Sequence, residues 1–344
     1  IQAGDIVDIT GILRTKPPSP TTKKRKWTQF IDVVYSEKQN SDPSSVEISP
    51  EEEQKIQWLA SDENVYNKII ASIAPSIYGY ENIKESIMYQ LFGGCEKEYH
   101  DRVSRGNIHI LWIDDPSTAK SQVLLATKNI ASRGIYVSGG GASGAGLTAA
   151  VIRVEGGEMF ALEAGAMVLA NGGICCIDEI EKMNNDDRKR IHEAMSIQTV
   201  SIQKATVHYT LPAKTAILAA GNPAFGRYDG YRSVAENISL PSSILSRFDL
   251  IFIGKGDKPN TERDEGIVTH VLENPDLFRA EISKELLKKY IAYAKRIKPE
   301  MTKKAIKYIK TFYLKMRNLY VEEKEKSPTF FGYTESLWSW KKRL

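Results

Sequence analysis

Short apolar runs that stop abruptly at polar turns organise the middle of the chain. Ile108 to Ile113 is one such run. It ends at Asp114-Asp115-Pro116-Ser117-Thr118-Ala119-Lys120-Ser121 and resumes as Gln122-Val123-Leu124-Leu125. This pattern predicts a buried strand, a loop and a helix start. Gly172 to Glu179 is a second run, closed by the adjacent carboxylates Asp178 and Glu179, and Thr215 to Ala220 is a third, followed by Gly221 and Asn222. Strands of a parallel sheet present their C-terminal ends to one ligand crevice, so these runs predict a single polar edge.

The flanks read differently. Asp5 to Leu13 alternates like a half-buried strand and Phe30 to Tyr35 gives another, separated by a proline-rich basic loop that carries Lys23, Lys24 and Arg25. Ser49-Pro50-Glu51-Glu52-Glu53 is a helix start, with Ser49 as cap and Pro50 in the first turn, and the helix is expected to run to about Asn67. Two hairpins are expected inside the central region: one with strands on either side of Gly156-Gly157, and one from Val200 to Leu211 that carries Lys204. Beyond Asn260 the pattern becomes helical and rich in lysine.

Composition narrows the class without deciding it. The 344 residues suffice for two or three domains, and 42% hydrophobic with 26% charged residues is ordinary for a globular protein. No apolar run is long enough to span a bilayer and no secretory signal is visible, so the chain is expected to be intracellular with no membrane partner. A net charge of +4 does not by itself imply nucleic acid, and Cys95, Cys175 and Cys176 lack metal-ligand spacing. The chain starts in mid-pattern without a methionine, as a trimmed N-terminus would.

The chemistry lies in the predicted edge. In a phosphate-binding loop, backbone N–H groups at a helix N-terminus face the phosphates, a lysine meets the β/γ oxygens and a hydroxyl holds Mg²⁺. Asp115, Pro116, Ser117, Thr118, Ala119, Lys120, Ser121 and Gln122 form the candidate loop, with Lys120 and Ser121 in the last two roles. Asp178 is the candidate for the Mg²⁺ shell and Glu179 for activating the attacking water. The plainer alternatives are a lysine at an ordinary helix start and an aspartate acting as a helix cap.

Together, Ser76-Ile77-Tyr78-Gly79, Leu91-Phe92-Gly93-Gly94, Gly146-Leu147-Thr148-Ala149-Ala150, Leu162-Glu163-Ala164-Gly165-Ala166, Ile177-Asp178-Glu179, Ile191-His192-Glu193-Ala194-Met195 and Leu245-Ser246-Arg247-Phe248-Asp249 make the chain resemble the AAA+ motor of the minichromosome maintenance (MCM) replicative helicases, of archaeal type. The resemblance implies an α/β P-loop parallel sheet with a helical lid, preceded by part of a β-rich OB-fold. The corresponding boundaries are 1–47 for the OB-fold portion, 48–67 for a linker helix, 68–256 for the ATPase core and 257–344 for the lid and tail. It further implies ATP and Mg²⁺ as cofactors, single-stranded DNA in a channel, and a homo-oligomeric ring, a hexamer. By resemblance Glu179 and Asn222 act on the nucleotide in their own subunit, Arg247 and Gln198 act on the neighbouring subunit's, and Lys204 with the basic loop meets DNA. A surface ion pair of Arg247 with Asp249 and a helix-end amide for Gln198 are the bland alternatives.

Departures from the family pattern point to a weakened motor. Asp114 stands where a glycine is expected, which would add backbone strain of about 1–3 kcal/mol and a negative charge near the triphosphate. Gly140 and Gly332 replace a lysine and a sensor arginine. The strain and charge of Asp114 lead to an expected loss of ATP affinity of roughly ten- to a thousandfold, and the two glycines point the same way. A degenerate paralogue that binds DNA or joins a ring without ATP turnover is the alternative function. Other AAA+ branches, a magnesium chelatase subunit or a bacterial enhancer-binding activator, are disfavoured by the OB-like prelude.

Overall fold

The computed structural model describes residues 5, 7–17, 27–38, 46–101, 103–141, 144–153, 160–204, 207–254, 261–272 and 280–326. Strands β1 (Val7–Lys16) and β2 (Thr28–Lys38) form an antiparallel ribbon with a bulge at Thr10/Gly11. Gly11 is needed there because a Cβ would lie 2.5 Å from the Asp32 carbonyl oxygen. The strands occur where expected but are not half-buried: Ile9, Leu13, Phe30, Val34 and Tyr35 are all exposed. A two-stranded ribbon has no second layer of its own against which to bury a face.

Helix α1 (Pro50–Ala60) begins with a capping box in which Ser49 Oγ accepts from the Glu52 N–H and the Glu52 carboxylate accepts from the Ser49 N–H. It ends earlier than expected. Asp62 Oδ1 accepts from the Asn64 N–H in a turn, and the chain restarts as α2 (Val65–Ser72), followed by α3 (Glu81–Phe92). Strands β3 (Lys97–Glu98) and β4 (Val103–Ser104) are a short hairpin.

The core alternates β5 (Ile110–Ile113), α4 (Lys120–Ile130), β6 (Gly134–Ser138), α5 (Gly144–Leu147), β7 (Ala149–Arg153), β8 (Phe160–Ala164), α6 (Ala166–Leu169), β9 (Ile174–Asp178), α7 (Asn185–Ile197), β10 (Thr199–Lys204), β11 (Val207–Pro212), β12 (Ala216–Gly221), α8 (Ser242–Leu245) and β13 (Leu250–Ile253). Its five-stranded sheet has the order β13-β5-β12-β9-β6, with every pairing parallel. Pairs β7/β8 and β10/β11 are the two expected hairpins, and both project as separate two-stranded ribbons. Their tips, 154–159 and 205–206, lie outside the described residues.

Period-two alternation sorts the sheet into two cores. Leu111, Ile113, Cys175, Ile177, Ile217 and Ala219 face a layer that includes Ile191, Ala194 and Met195 of α7 and Ile244 of α8. Ile110, Trp112, Ile174, Cys176, Leu218 and Ala220 face Ile87 and Leu91 of α3, Val123 and Leu124 of α4, and Leu287 and Ile291 of the lid. Every residue of β5, β9 and β12 is buried, as continuous apolar runs require. The Cys175 and Cys176 thiols are part of this core, and burial pushes that of Cys175 up to about 12. The lid comprises α9 (Thr261–Leu272), α10 (Lys284–Lys295) and α11 (Lys303–Lys326). No described helix is long and apolar enough to cross a membrane.

One core feature corrects a sequence expectation. Asp114 is not among the residues with positive φ; in the loop, Ser117 (φ 68°) and Ala119 (φ 59°) carry the left-handed backbone. The Asp114 side chain is buried at the foot of the loop. It accepts from Trp112 Nε1 at 3.3 Å and from the Asp115 N–H at 2.9 Å, and it packs where a Cβ on Gly254 would collide with it. The aspartate is therefore housed without backbone strain, because β13 is followed by a residue with no side chain. Gly254→Ala is expected to cost about 1–3 kcal/mol by overpacking. Asp114→Gly in the same chain should recover most of that loss, as measured by urea denaturation of the two single variants and the double; strictly additive effects would contradict the pairing.

Candidate active site

Because the sheet is parallel, Asp114 after β5, Ser138 at the end of β6, Asp178 at the end of β9 and Asn222 after β12 all emerge at one edge. Residues 114–121 wrap that edge and lead into α4, whose N-cap is Ala119, with no side chain to cap the helix. The first turn of α4 thus keeps N–H groups for an anion. Holding Ala119 in the left-handed region costs roughly 1–2 kcal/mol, and a non-glycine residue persists there only when its surroundings fix it.

Those surroundings are visible. Thr118 Oγ1 donates to the Asp115 carbonyl at 2.8 Å, and Asp115 Oδ1 accepts from the Tyr228 N–H at 2.9 Å, which ties the loop to the segment after β12. That segment is in turn pinned by buried Asn237, whose side chain bonds the Asp229 N–H and the Asp229 and Ser233 carbonyls. Lys120 is buried, and its Nζ donates to the Asp114 and Asp115 carbonyls at 2.8 and 2.5 Å and to Thr118 Oγ1 at 3.1 Å. Burial lowers the Lys120 pKa, opposed by Asp114, Asp178, Glu181 and Asp115, so several carboxylates act on this one ammonium. Pro116 and Ser117 are exposed on the loop, and Ser121 and Gln122 are exposed on the first turn of the helix.

The carboxylates divide their work. Asp178 is buried; its Oδ2 accepts from the Tyr136 hydroxyl at 2.7 Å and its Oδ1 from the Glu179 N–H at 2.9 Å. Burial together with Asp178 pushes the Tyr136 phenol up to about 12, opposed by the Ser121 hydroxyl. Glu179, at φ 51°, starts the short 3-10 turn Ile180–Lys182, and its carboxylate is shared between Lys182 Nζ (2.6 Å) and Ser138 Oγ (3.2 Å). Asn222 Nδ2 donates to Glu181 Oε1 at 2.9 Å. Asp178 is not a helix cap: the N-cap of α7 is Asn184, which accepts from the Asp187 N–H.

Arg247 and Gln198 stand apart from this cluster. Arg247 Nε donates to His192 Nε2 at 3.1 Å, and its terminal nitrogens make no hydrogen bond among the described residues. Asp249 does not pair with Arg247. It accepts from the His109 N–H at 2.8 Å and sits 3.6 Å from Arg105, which also donates to the Asn107 and Arg247 carbonyls. The surface ion pair considered from the sequence is thereby overturned. Gln198 is the left-handed C-cap of α7, as a helix-end residue would be, yet its Nε2 is buried with no hydrogen-bond partner among the described residues. Lys204 closes the β10/β11 ladder opposite Val207, which puts its backbone next to the hairpin tip. Lys23, Lys24, Arg25 and Gly332 lie outside the described residues.

Tyr136, Ser138, Glu181, Lys182 and His192 were given no role from the sequence. The signal for the first two was available in Ile135-Tyr136-Val137-Ser138 followed by Gly139-Gly140-Gly141, one more apolar run stopping at a turn. His192 and Glu181 lie in turn and helix segments where spacing gives no indication of a partner.

The sheet order, the loop and the carboxylate edge define a P-loop module of the AAA+ kind. Comparison with known proteins agrees: residues 52–275 match the MCM P-loop domain and residues 285–336 the MCM AAA-lid domain. The chain belongs to the MCM family. It is 47% identical over 322 residues to the minichromosome maintenance protein MCM of Saccharolobus solfataricus, covering 91% of this chain and 46% of that protein. It is 40% identical over 347 residues to DNA replication licensing factor MCM7 of Arabidopsis thaliana (97% of this chain, 47% of that protein) and 41% identical over 319 residues to DNA replication licensing factor mcm5 of Dictyostelium discoideum (84% and 42%). The chain thus spans a little under half the length of these curated relatives.

The His192–Arg247 bond gives a pH prediction. Burial and the adjacent guanidinium lower the His192 pKa, so the folded protein holds the imidazole neutral while the unfolded chain protonates at the ordinary value, near 6.5. The unfolded state binds more protons below that point, and stability falls as pH drops from about 6.5 through the depressed folded pKa. Urea midpoints measured across this window should fall less steeply in His192→Gln than in the wild type, and equal slopes would contradict the assignment.

Proposed function

We propose that the chain is the ATP-dependent motor of an MCM-type DNA helicase, working as one subunit of a ring. The observation that carries this is the gathering of Lys120, Ser121, Asp178, Glu179 and Asn222 at one sheet edge, while the Arg247 terminal nitrogens make no hydrogen bond among the described residues. Residues 115–122 cradle the triphosphate, with Lys120 leaving the loop carbonyls to meet the β/γ oxygens. Ser121 and Asp178 are the residues that would hold Mg²⁺. The bound cation would supply neutralisation of phosphate charge. Glu179, once released from Lys182 or Ser138, takes the proton of the attacking water, and Asn222 Nδ2 orients the γ-phosphate.

Arg247 and Gln198 complete the neighbouring subunit's site, where a guanidinium and an amide donor stabilise charge on the transferring group. The match of several distinct MCM paralogues makes a ring of mixed subunits the alternative to one of identical copies. DNA passes the hairpin bearing Lys204 and the basic loop with Lys23, Lys24 and Arg25, which contact phosphates. In this division residues 1–47 are the end of an OB-fold, 48–67 the linker, 68–256 the ATPase core and 257–344 the lid and tail. Asp114 is no reason to read the loop as dead, since it carries no positive φ and its carboxylate is taken up by Trp112 and the Asp115 N–H.

ATPase rates with and without single-stranded DNA test the proposal. Wild type should be stimulated by DNA, and Glu179→Gln should lose about a hundredfold or more. Lys120→Ala and Arg247→Ala should each be inactive alone but recover part of the rate when mixed, because an intact arginine then faces an intact loop. Full activity of Glu179→Gln, or no recovery on mixing, would contradict the trans-acting assignment.

A further inference from the structure

The turn after Asp178 and Glu179 brings a third carboxylate to the same edge. Glu181 lies on the 3-10 turn Ile180–Lys182, which is anchored to α7 by a 2.7 Å bond from Arg188 to the Glu181 carbonyl. Its Oε1 accepts from Asn222 Nδ2 at 2.9 Å, while Oε2 is buried with no hydrogen-bond partner among the described residues. Oε2 would lie 2.7 Å from a Cβ on Gly221, so the strand carrying Asn222 ends in glycine where this carboxylate has to fit. Its charge also acts on Lys120 and Lys182.

A carboxylate can accept hydrogen bonds but not donate them. Beside Glu181, Asn222 must therefore turn its NH₂ group, not its oxygen, toward the turn. That nitrogen has a second hydrogen with no acceptor among the described residues, which leaves it for a ligand at this edge. With the amide reversed, Oδ1 would take its place and oppose a phosphate oxygen.

We propose that Glu181 is a positioning residue that fixes which way the Asn222 amide faces, and thereby gives the site its preference for a triphosphate over a diphosphate. The inference rests on the nucleotide-site reading above. It assigns Glu181 no contact with the phosphates, only control of the side chain that makes one.

The test is equilibrium binding of Mg-ATPγS and Mg-ADP to the whole chain. The expected result is that Glu181→Ala reduces the ratio of the two affinities by about fivefold, the value of one ordinary hydrogen bond. Asn222→Ala should do the same, and the double variant no more than Asn222→Ala alone. Glu181→Gln, which can still accept from Asn222, should keep the ratio within about twofold of wild type by the same reasoning. Glu181→Met keeps the length of the side chain without an acceptor and replaces the alanine variant should that one not fold. Wild-type discrimination in Glu181→Ala alongside its loss in Asn222→Ala, or losses that multiply in the double variant, would overturn this inference alone. A wild type that binds neither nucleotide would overturn both it and the nucleotide site.

Discussion

The constraint on which everything else rests is the parallel pairing of β5, β12 and β9. These strands are buried on both faces, and each alternates its side chains between two helical layers. A slip of one residue in either pairing would exchange those layers, so register is tightly specified. Fixed register brings the loop after β5, the carboxylates after β9 and the amide after β12 to one height. The chemistry of the edge is a by-product of how the core packs.

At that edge, the arrangement is one of mutual restraint among charges. Asp178 and Glu179 are each held by a hydroxyl, from Tyr136 and Ser138 on the neighbouring strand, and Glu179 also by Lys182. Lys120 is held by backbone carbonyls and surrounded by carboxylates. Groups so tied are ordered before any ligand arrives, and an incoming ligand has to replace existing bonds instead of organising loose side chains. The strain in the loop, at Ser117 and Ala119, belongs to the same picture, since neighbouring bonds from Thr118 and Tyr228 keep the backbone there.

Much of this was legible in the chain. Apolar runs closed by Asp114, Asp178 and Asn222 announced the strands and their common edge, and Ser49-Pro50-Glu51-Glu52 announced a capped helix. What was not legible depended on contacts distant in sequence. Asp114 read as a defect because the loop pattern alone cannot show that Gly254, more than a hundred residues later, leaves room for its side chain. A pairing of Arg247 with Asp249 stayed open, because spacing cannot reveal that Arg105 and the His109 N–H already occupy that carboxylate. The β1/β2 ribbon alternates as a half-buried strand would, yet it is exposed. Alternation records which face can be buried and says nothing about what covers it.

The central claim is that the edge built on Lys120, Ser121, Asp178 and Asn222 is a nucleotide site. Titration calorimetry of Mg-ATP into the chain tests it most directly, with Lys120→Ala as the comparison. Saturable binding to the wild type that is lost or greatly weakened in Lys120→Ala is the predicted result. No binding to a folded wild type, or equal binding to both, would contradict it.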